Sequence, residues 1–136
     1  MPSETRFISV EVVIRTNSDC EDWISWFEQQ DNHIAKGPTD NHASYVYFAP
    51  LPSKDANSTI KRLCREIEAL PENVHQQWIR ADEREFFIGY HVGEKPHCFV
   101  EHLETDTLDL VNQHNASVRV AFYPRQAMTV DRPDSL

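Results

Sequence analysis

The chain has 136 residues, 40% of them hydrophobic, with 22 acidic against 13 basic side chains and a net charge of −9. This length suits one domain around one core. A negative surface repels phosphate backbones, so nucleic acid is excluded as the expected ligand. No run approaches the roughly 20 apolar residues of a membrane helix, and the N-terminus lacks the pattern of a secretion signal. We therefore expect a cytoplasmic protein with no membrane partner.

The first half of the chain alternates strand and helix patterns. Residues 6–16 place Ile8, Val10, Val12 and Ile14 at even positions, which predicts a strand with one buried face. Asn17, Ser18 and Asp19 can cap a helix that ends near Gln30. Its core stripe is predicted to consist of Cys20, Trp23, Ile24 and Phe27. Residues 31–42 are polar and predict a loop, and the aromatic run 44–49 predicts a second strand.

The second half continues the alternation. A helical stripe follows the cap candidates Asp55, Asn57 and Ser58, and it contains Ile60, Leu63, Cys64, Ile67 and Leu70. Lys61, Arg62 and Arg65 make its outer face basic. Val74, Trp78 and Ile79 indicate a short helix, residues 86–92 a strand, and residues 98–100 a strand that pairs back on it. Thr105 or Asp106 can cap a helix carrying Leu108 and Val111, before a last strand with Val118, Val120 and Phe122 on one face.

This order predicts an α+β fold. We expect a two-layer sandwich in which two to four helices cover one face of a mainly antiparallel sheet of four to five strands. The domain is expected to span residues 1–124, with a flexible tail at residues 125–136, where the composition becomes polar.

The same elements support a family resemblance. The chain resembles the bacterial family called domain of unknown function 4279 over most of residues 6–123. The residues that carry it are Phe7–Ile14, Lys36-Gly37, Tyr45–Phe48, the stripe Ile60, Leu63, Ile67 and Leu70, and then Phe87–Tyr90, Leu103, Leu108, Val111 and Asn115–Tyr123. Asn115 stands where a glycine is expected after the last helix, and Asn tolerates the same left-handed conformation. The resemblance implies no catalytic residues, and similar small acidic bacterial proteins include immunity proteins that neutralise a toxin.

The acidic residues concentrate in two segments. Residues 17–31 carry a charge of −5 and residues 82–109 carry −6. A basic protein is the partner that such zones favour, although acidity also serves solubility alone. The candidate partner-binding residues are Asp19, Asp22, Trp26, Glu28, Glu101, Glu104, Asp106 and Asp109.

One segment also contains residue types that bind zinc. His91, His97, Cys98 and His102 lie within twelve positions, but no two of them show the two-residue gap of strong zinc motifs. Surface histidines beside a buried Cys98 explain the same pattern. We expect no cofactor, and free thiols at Cys20, Cys64 and Cys98, because three widely spaced cysteines do not suggest a disulfide framework.

Three functions follow in order of preference. The first is a non-enzymatic protein-binding domain, with an immunity protein bound electrostatically to a basic toxin as its leading form. The second is a small hydrolase or zinc-binding protein that uses the segment His91–His102. The third is a structural or regulatory module that oligomerises through an exposed sheet edge. The sequence leaves the identity of the partner and the oligomeric state open.

Overall fold

The chain folds as one α+β unit. The computed structural model describes residues 4–17, 20–29, 33–37, 44–49 and 54–124, with side chains for all but 33–37 and 44–49. The elements are β1 (Arg6–Thr16), α1 (Glu21–Gln29), β2 (His33–Gly37), β3 (Ser44–Ala49), α2 (Ala56–Glu68), α3 (Glu72–Arg80), β4 (Glu83–His91), α4 (Thr105–Gln113) and β5 (Ser117–Tyr123). The expected tail at residues 125–136 lies outside the described residues.

The sheet is mixed. Its strand order is β2-β3-β1-β4-β5. β1 pairs antiparallel with β3 and β4, and β2 pairs antiparallel with β3. β5 pairs parallel with β4, which requires a crossover, and α4 supplies it. The predicted α+β class is confirmed.

The helices share one core with one face of the sheet. The even positions of β1 from Val10 onward and of β4 from Phe86 onward point into it, and all four helices contribute buried side chains. Its largest members are Trp23, Phe27, Ile60, Leu63, Ile67, Trp78, Val10, Val12, Ile14, Phe86 and Ile88. The predicted helical stripe is confirmed, because its four residues in α2 are buried and Leu70, just beyond the end of the helix, is buried as well. Asp55 caps that helix as expected, accepting a hydrogen bond from Ser58 N–H at 2.8 Å.

Three sequence expectations about elements were wrong. The segment 31–42 is not a continuous loop, since β2 lies within it. Residues 98–100 form no strand beside β4. The register of β1 shifts between Phe7 and Ser9, so Phe7 packs against the core while Ile8 is exposed. A bulge adds one residue on one strand and thereby reverses the alternation before it.

None of the described helices has both the length and the apolarity required to cross a bilayer.

Candidate functional site

The surface of α1 carries the first group of candidate residues. Trp23 and Phe27 anchor this helix in the core, and this places Asp22 and Glu28 on its exposed side. Among the described residues, neither carboxylate forms an ion pair. Asp19, the remaining acid of this group, lies outside the described residues.

Trp26 lies in a groove between α1 and the start of α3. The groove is lined by Asp22, Ser25, Trp26, Gln29, Pro71, Asn73 and Val74. Trp26 is half-buried and packs against the core, as its position off the core stripe predicts. The backbone N–H of Trp23 donates to Gln77 Oε1 at 2.8 Å, which connects α1 to α3, the two helices that form the walls of the groove. Neither α1 nor residues 71–77 contain Lys or Arg, so no basic side chain of these segments offsets the acids.

Glu101 has a different environment from the acids of α1. Its Oε1 accepts a hydrogen bond from Ala56 N–H at 3.1 Å, at the N-terminus of α2, where the helix dipole favours a negative charge. Burial is the main cause that raises the pKa of Tyr90, and the negative charge of Glu101 raises it further. Glu101 therefore holds the loop that precedes α4 against the start of α2.

Glu104 belongs to the same contact between α2 and α4. Its Oε1 accepts from Lys61 Nζ at 2.8 Å and from Asn57 Nδ2 at 2.8 Å. Asn57 Oδ1 in turn accepts from Glu104 N–H at 2.9 Å and from Thr107 Oγ1 at 2.6 Å. The hydrogen bonds from Lys61 and Asn57 lower the pKa of Glu104. Its carboxylate is engaged within the molecule rather than offered to a partner.

Asp106 and Asp109 remain exposed on α4, but they share their groove with positive charge. Lys61 and Arg65 of α2 line the same groove. α4 contacts β5 at one end of the strand order, whereas α1 contacts β2 at the other. The acids of α1 and those of α4 therefore lie toward opposite ends of the sheet, although the two segments meet where Asn17 N–H donates to Asp82 Oδ2 at 3.0 Å.

The four candidate metal ligands do not converge. Among the described residues, which include His91, His97, Cys98 and His102, no group of three His, Cys, Asp or Glu side chains is arranged to hold a metal ion. Cys98 is exposed, contrary to the expectation that it is buried. Although no strand forms at 98–100, the Phe99 ring holds this loop against β4, with 5.5 Å between its centroid and that of the Tyr90 ring.

A charged cluster that the sequence did not single out lies on the sheet face opposite the helices. Glu85 lies 3.0 Å from Arg119 Nε and 3.6 Å from Arg15 Nη1, and its side chain is 13% exposed. Arg119 also stacks over the Phe87 ring, with 4.3 Å between its guanidinium carbon and the ring centroid. Burial raises the pKa of Glu11 on the same face, while Arg119 acts in the opposite direction.

The cluster explains how this face is protected from water. Val13 and Phe87 are buried on it although they lie outside the core that the helices share. The arginine stems cover apolar surface while their charges pair with glutamates. Arg15 also lies 3.2 Å from Glu83 Oε1, so the cluster contains three acids, Glu11, Glu83 and Glu85, and two bases, Arg15 and Arg119. The residues of the charged cluster occupy alternating positions along their strands. That pattern predicts only a solvated face, so no feature of the sequence distinguished these residues.

No protein-family model matches the chain, and no curated protein or solved structure is significantly similar to it.

Proposed function

We propose that this protein is a non-enzymatic binding domain that holds a basic protein against the surface formed by α1 and the start of α3. Its leading form is an immunity protein that neutralises a toxin, as the resemblance to domain of unknown function 4279 suggests. The contact residues are Asp22, Trp26 and Glu28.

The observation that carries this proposal is the contrast between the two acidic segments. The carboxylates of Glu101 and Glu104 bind α2, and Asp106 and Asp109 share a groove with Lys61 and Arg65. Asp22 and Glu28 are exposed beside a groove with no Lys or Arg in its lining. The negative charge that the sequence offers to a partner is thus concentrated on α1.

Trp26 supplies the second component of an interface. Tryptophan is enriched among the residues that dominate binding energy, and a half-buried ring held by the core costs little conformational entropy to immobilise further. Surrounding acids speed association with a basic protein and make it sensitive to salt. A toxin that acts on nucleic acid needs a positive site to hold phosphate and would complement this surface.

The experiment is a calorimetric titration of this protein with the product of the reading frame adjacent to its gene. We expect binding, with an affinity that falls by roughly tenfold or more between low and high salt. Trp26→Ala is expected to weaken binding by about 2 kcal/mol, the size of a hot-spot effect. Circular dichroism of each variant checks that the fold is retained.

An absence of binding would reject the immunity assignment. Binding whose affinity does not change with salt would reject the electrostatic part of the proposal. Equal affinity of Trp26→Ala and the unaltered protein would show that the interface lies elsewhere.

A further inference from the structure

β5 lies at the end of the strand order, and no strand among the described residues pairs with its outer edge. Val92 N–H donates to the Tyr123 carbonyl at 2.8 Å, and Tyr123 is paired with His91 in the parallel ladder. In a strand, the N–H and C=O of one residue point to the same side, and this alternates from residue to residue. Ser117, Arg119, Ala121 and Tyr123 thus face β4, and the N–H and C=O groups of Val118, Val120 and Phe122 point away from it.

The side chains along this edge are apolar and exposed. Val120 is 45% exposed and Phe122 is 62% exposed, although both lie on the face that the helices cover elsewhere. Leu108 of α4 is 47% exposed. The helical spacing places Leu108 on one flank of α4 and Leu110 on the opposite flank. Leu110 lines the groove between α4 and α2. The flank of Leu108 lies toward β5, so the open edge is bordered by apolar groups from two elements.

Within the part of the chain that the structure describes, this edge also lacks the features that block strand pairing. Such edges are usually short, interrupted by proline, or protected by charged side chains. β5 has seven residues without proline, and its one charge, Arg119, points to the other face and pairs with Glu85. Residues 110–130 contain no Asp or Glu, in a chain with a net charge of −9. Two copies can therefore approach along β5 without the repulsion that their acidic surfaces impose elsewhere.

We infer that two copies of this chain associate through β5 as an antiparallel pair, which joins their sheets into one. A two-fold axis at Val120 places Val120 opposite its own symmetry mate and Val118 opposite Phe122. The backbone N–H and C=O groups of all these residues point away from β4. In this one register, the outward groups of each copy therefore form hydrogen bonds with those of the other. Both helix layers lie on the same side of the joined sheet, where Leu108, Val120 and Phe122 of the two copies cover one another.

The test is the mass of the full chain in solution, measured by light scattering and sedimentation over a range of concentrations. We expect a species of twice 15.8 kDa that dissociates on dilution. Val120→Lys places two ammonium groups directly opposite each other, and we expect it to raise the dissociation constant of the dimer by roughly tenfold or more. Val120→Pro removes an outward N–H and not one bonded to β4, so it should also give a monomer with an unchanged circular dichroism spectrum.

Ile79→Lys is the matched control. Ile79 is also an exposed apolar residue, 52% exposed, but it lies on α3, so this variant makes the same change in charge away from β5. It is expected to remain dimeric. Hydrogen exchange should show protected amides at Val118, Val120 and Phe122 in the dimer only.

A strict monomer at every concentration would overturn the inference, and so would a dimer that Val120→Lys leaves intact. A monomer in which those three amides are nevertheless protected would assign the edge to another segment of the same chain and would equally overturn it. None of these outcomes depends on whether α1 binds a basic protein.

Discussion

Asn115 ends α4 in the left-handed region of backbone space, with a φ of 52°. Ala116 N–H donates to the Val111 carbonyl at 3.1 Å and Asn115 N–H to the Asn112 carbonyl at 3.0 Å, the two bonds of a Schellman motif. The expectation that Asn115 adopts the left-handed conformation after the last helix is confirmed. Such a conformation depends on the backbone preferences of one residue, so the sequence alone can predict it.

Substitutions of Asn115 should separate this backbone effect from side-chain contacts. Ala carries the full cost of the left-handed conformation, so we expect Asn115→Ala to lower the free energy of unfolding by about 1 kcal/mol. Asn115→Gly should equal or exceed the unaltered protein, because glycine adopts positive φ without strain. Urea denaturation measures both. Equal losses for the two variants would mean that the amide side chain matters and the backbone does not.

Asp55 should make the stability of α2 depend on pH. Hydrogen bonding by Ser58, chiefly to its backbone N–H, lowers the pKa of Asp55 from 3.8. Because the pKa is lower in the folded state, this stabilisation is complete above the unfolded value and disappears as the pH falls through the folded one. At neutral pH we expect Asp55→Ala to cost about 1 kcal/mol, and the difference to shrink below pH 3.8.

Asp55→Asn is the control for this titration, since Asn caps a helix without ionising. The difference in unfolding free energy between Asp55→Asn and Asp55→Ala should stay constant with pH. If the gap between Asp55→Ala and the unaltered protein were also constant between neutral and acidic pH, the ionised cap would have no role.

The three thiols should differ in reactivity. Cys98 is exposed, whereas Cys20 and Cys64 are buried, and burial raises the pKa of Cys64 to about 12. In the native protein we expect one thiol to react rapidly with a disulfide reagent such as Ellman's, and the other two to react only after unfolding. Cys98→Ser should abolish the rapid phase. A slow reaction of all three thiols would place Cys98 in the interior after all.

At the scale of elements, the sequence predicted best where one face is apolar over many residues. Both α2, with five buried apolar positions, and the core face of β1 from Val10 to Ile14 follow directly from periodicity. The prediction failed where pairing between strands determines the structure. β2 has little apolar pattern of its own and is formed by its pairing with β3. The bulge that exposes Ile8 is set by the register of β1 against β4. Both features depend on a neighbouring strand that lies outside the local sequence.

Asn57 joins two helices that are far apart in the chain, and its removal should loosen both. Its side chain donates to Glu104 and accepts from Glu104 N–H and Thr107. Asn57→Leu leaves these groups without their partner, so we expect a loss of about 2 kcal/mol in the free energy of unfolding. Hydrogen exchange should show faster opening of α4 than of β1. If α4 exchanged at an unchanged rate, this contact would not hold it in place.

At the scale of the whole molecule, the sequence is least informative about which charged side chains remain available to a partner. Residues 82–109 carry more acids than residues 17–31, yet the fold pairs Glu101 and Glu104 with α2 and leaves Asp22 and Glu28 exposed. It also buries Glu85 beside Arg119 on the open sheet face. Which acids remain for a partner depends on contacts between residues more than forty positions apart, such as Lys61 with Glu104. Local composition cannot reveal such contacts.

The placement of binding on α1 can be tested with two double variants of equal charge. Asp22→Asn with Glu28→Gln alters α1, and Asp106→Asn with Asp109→Asn alters α4. Each pair raises the net charge from −9 to −7, and each neutralises one acid in the first turn of its helix. The change in global charge and the loss of one acid near a helix N-terminus are therefore matched between the two pairs.

The most direct measurement is the affinity of these two double variants for the product of the adjacent reading frame, determined by calorimetry at low salt. We expect the α1 pair to weaken binding by roughly tenfold or more, and the α4 pair to bind within about twofold of the unaltered protein. Equal losses in the two pairs would mean that only total charge matters. A larger loss in the α4 pair would contradict the placement of the binding surface on α1.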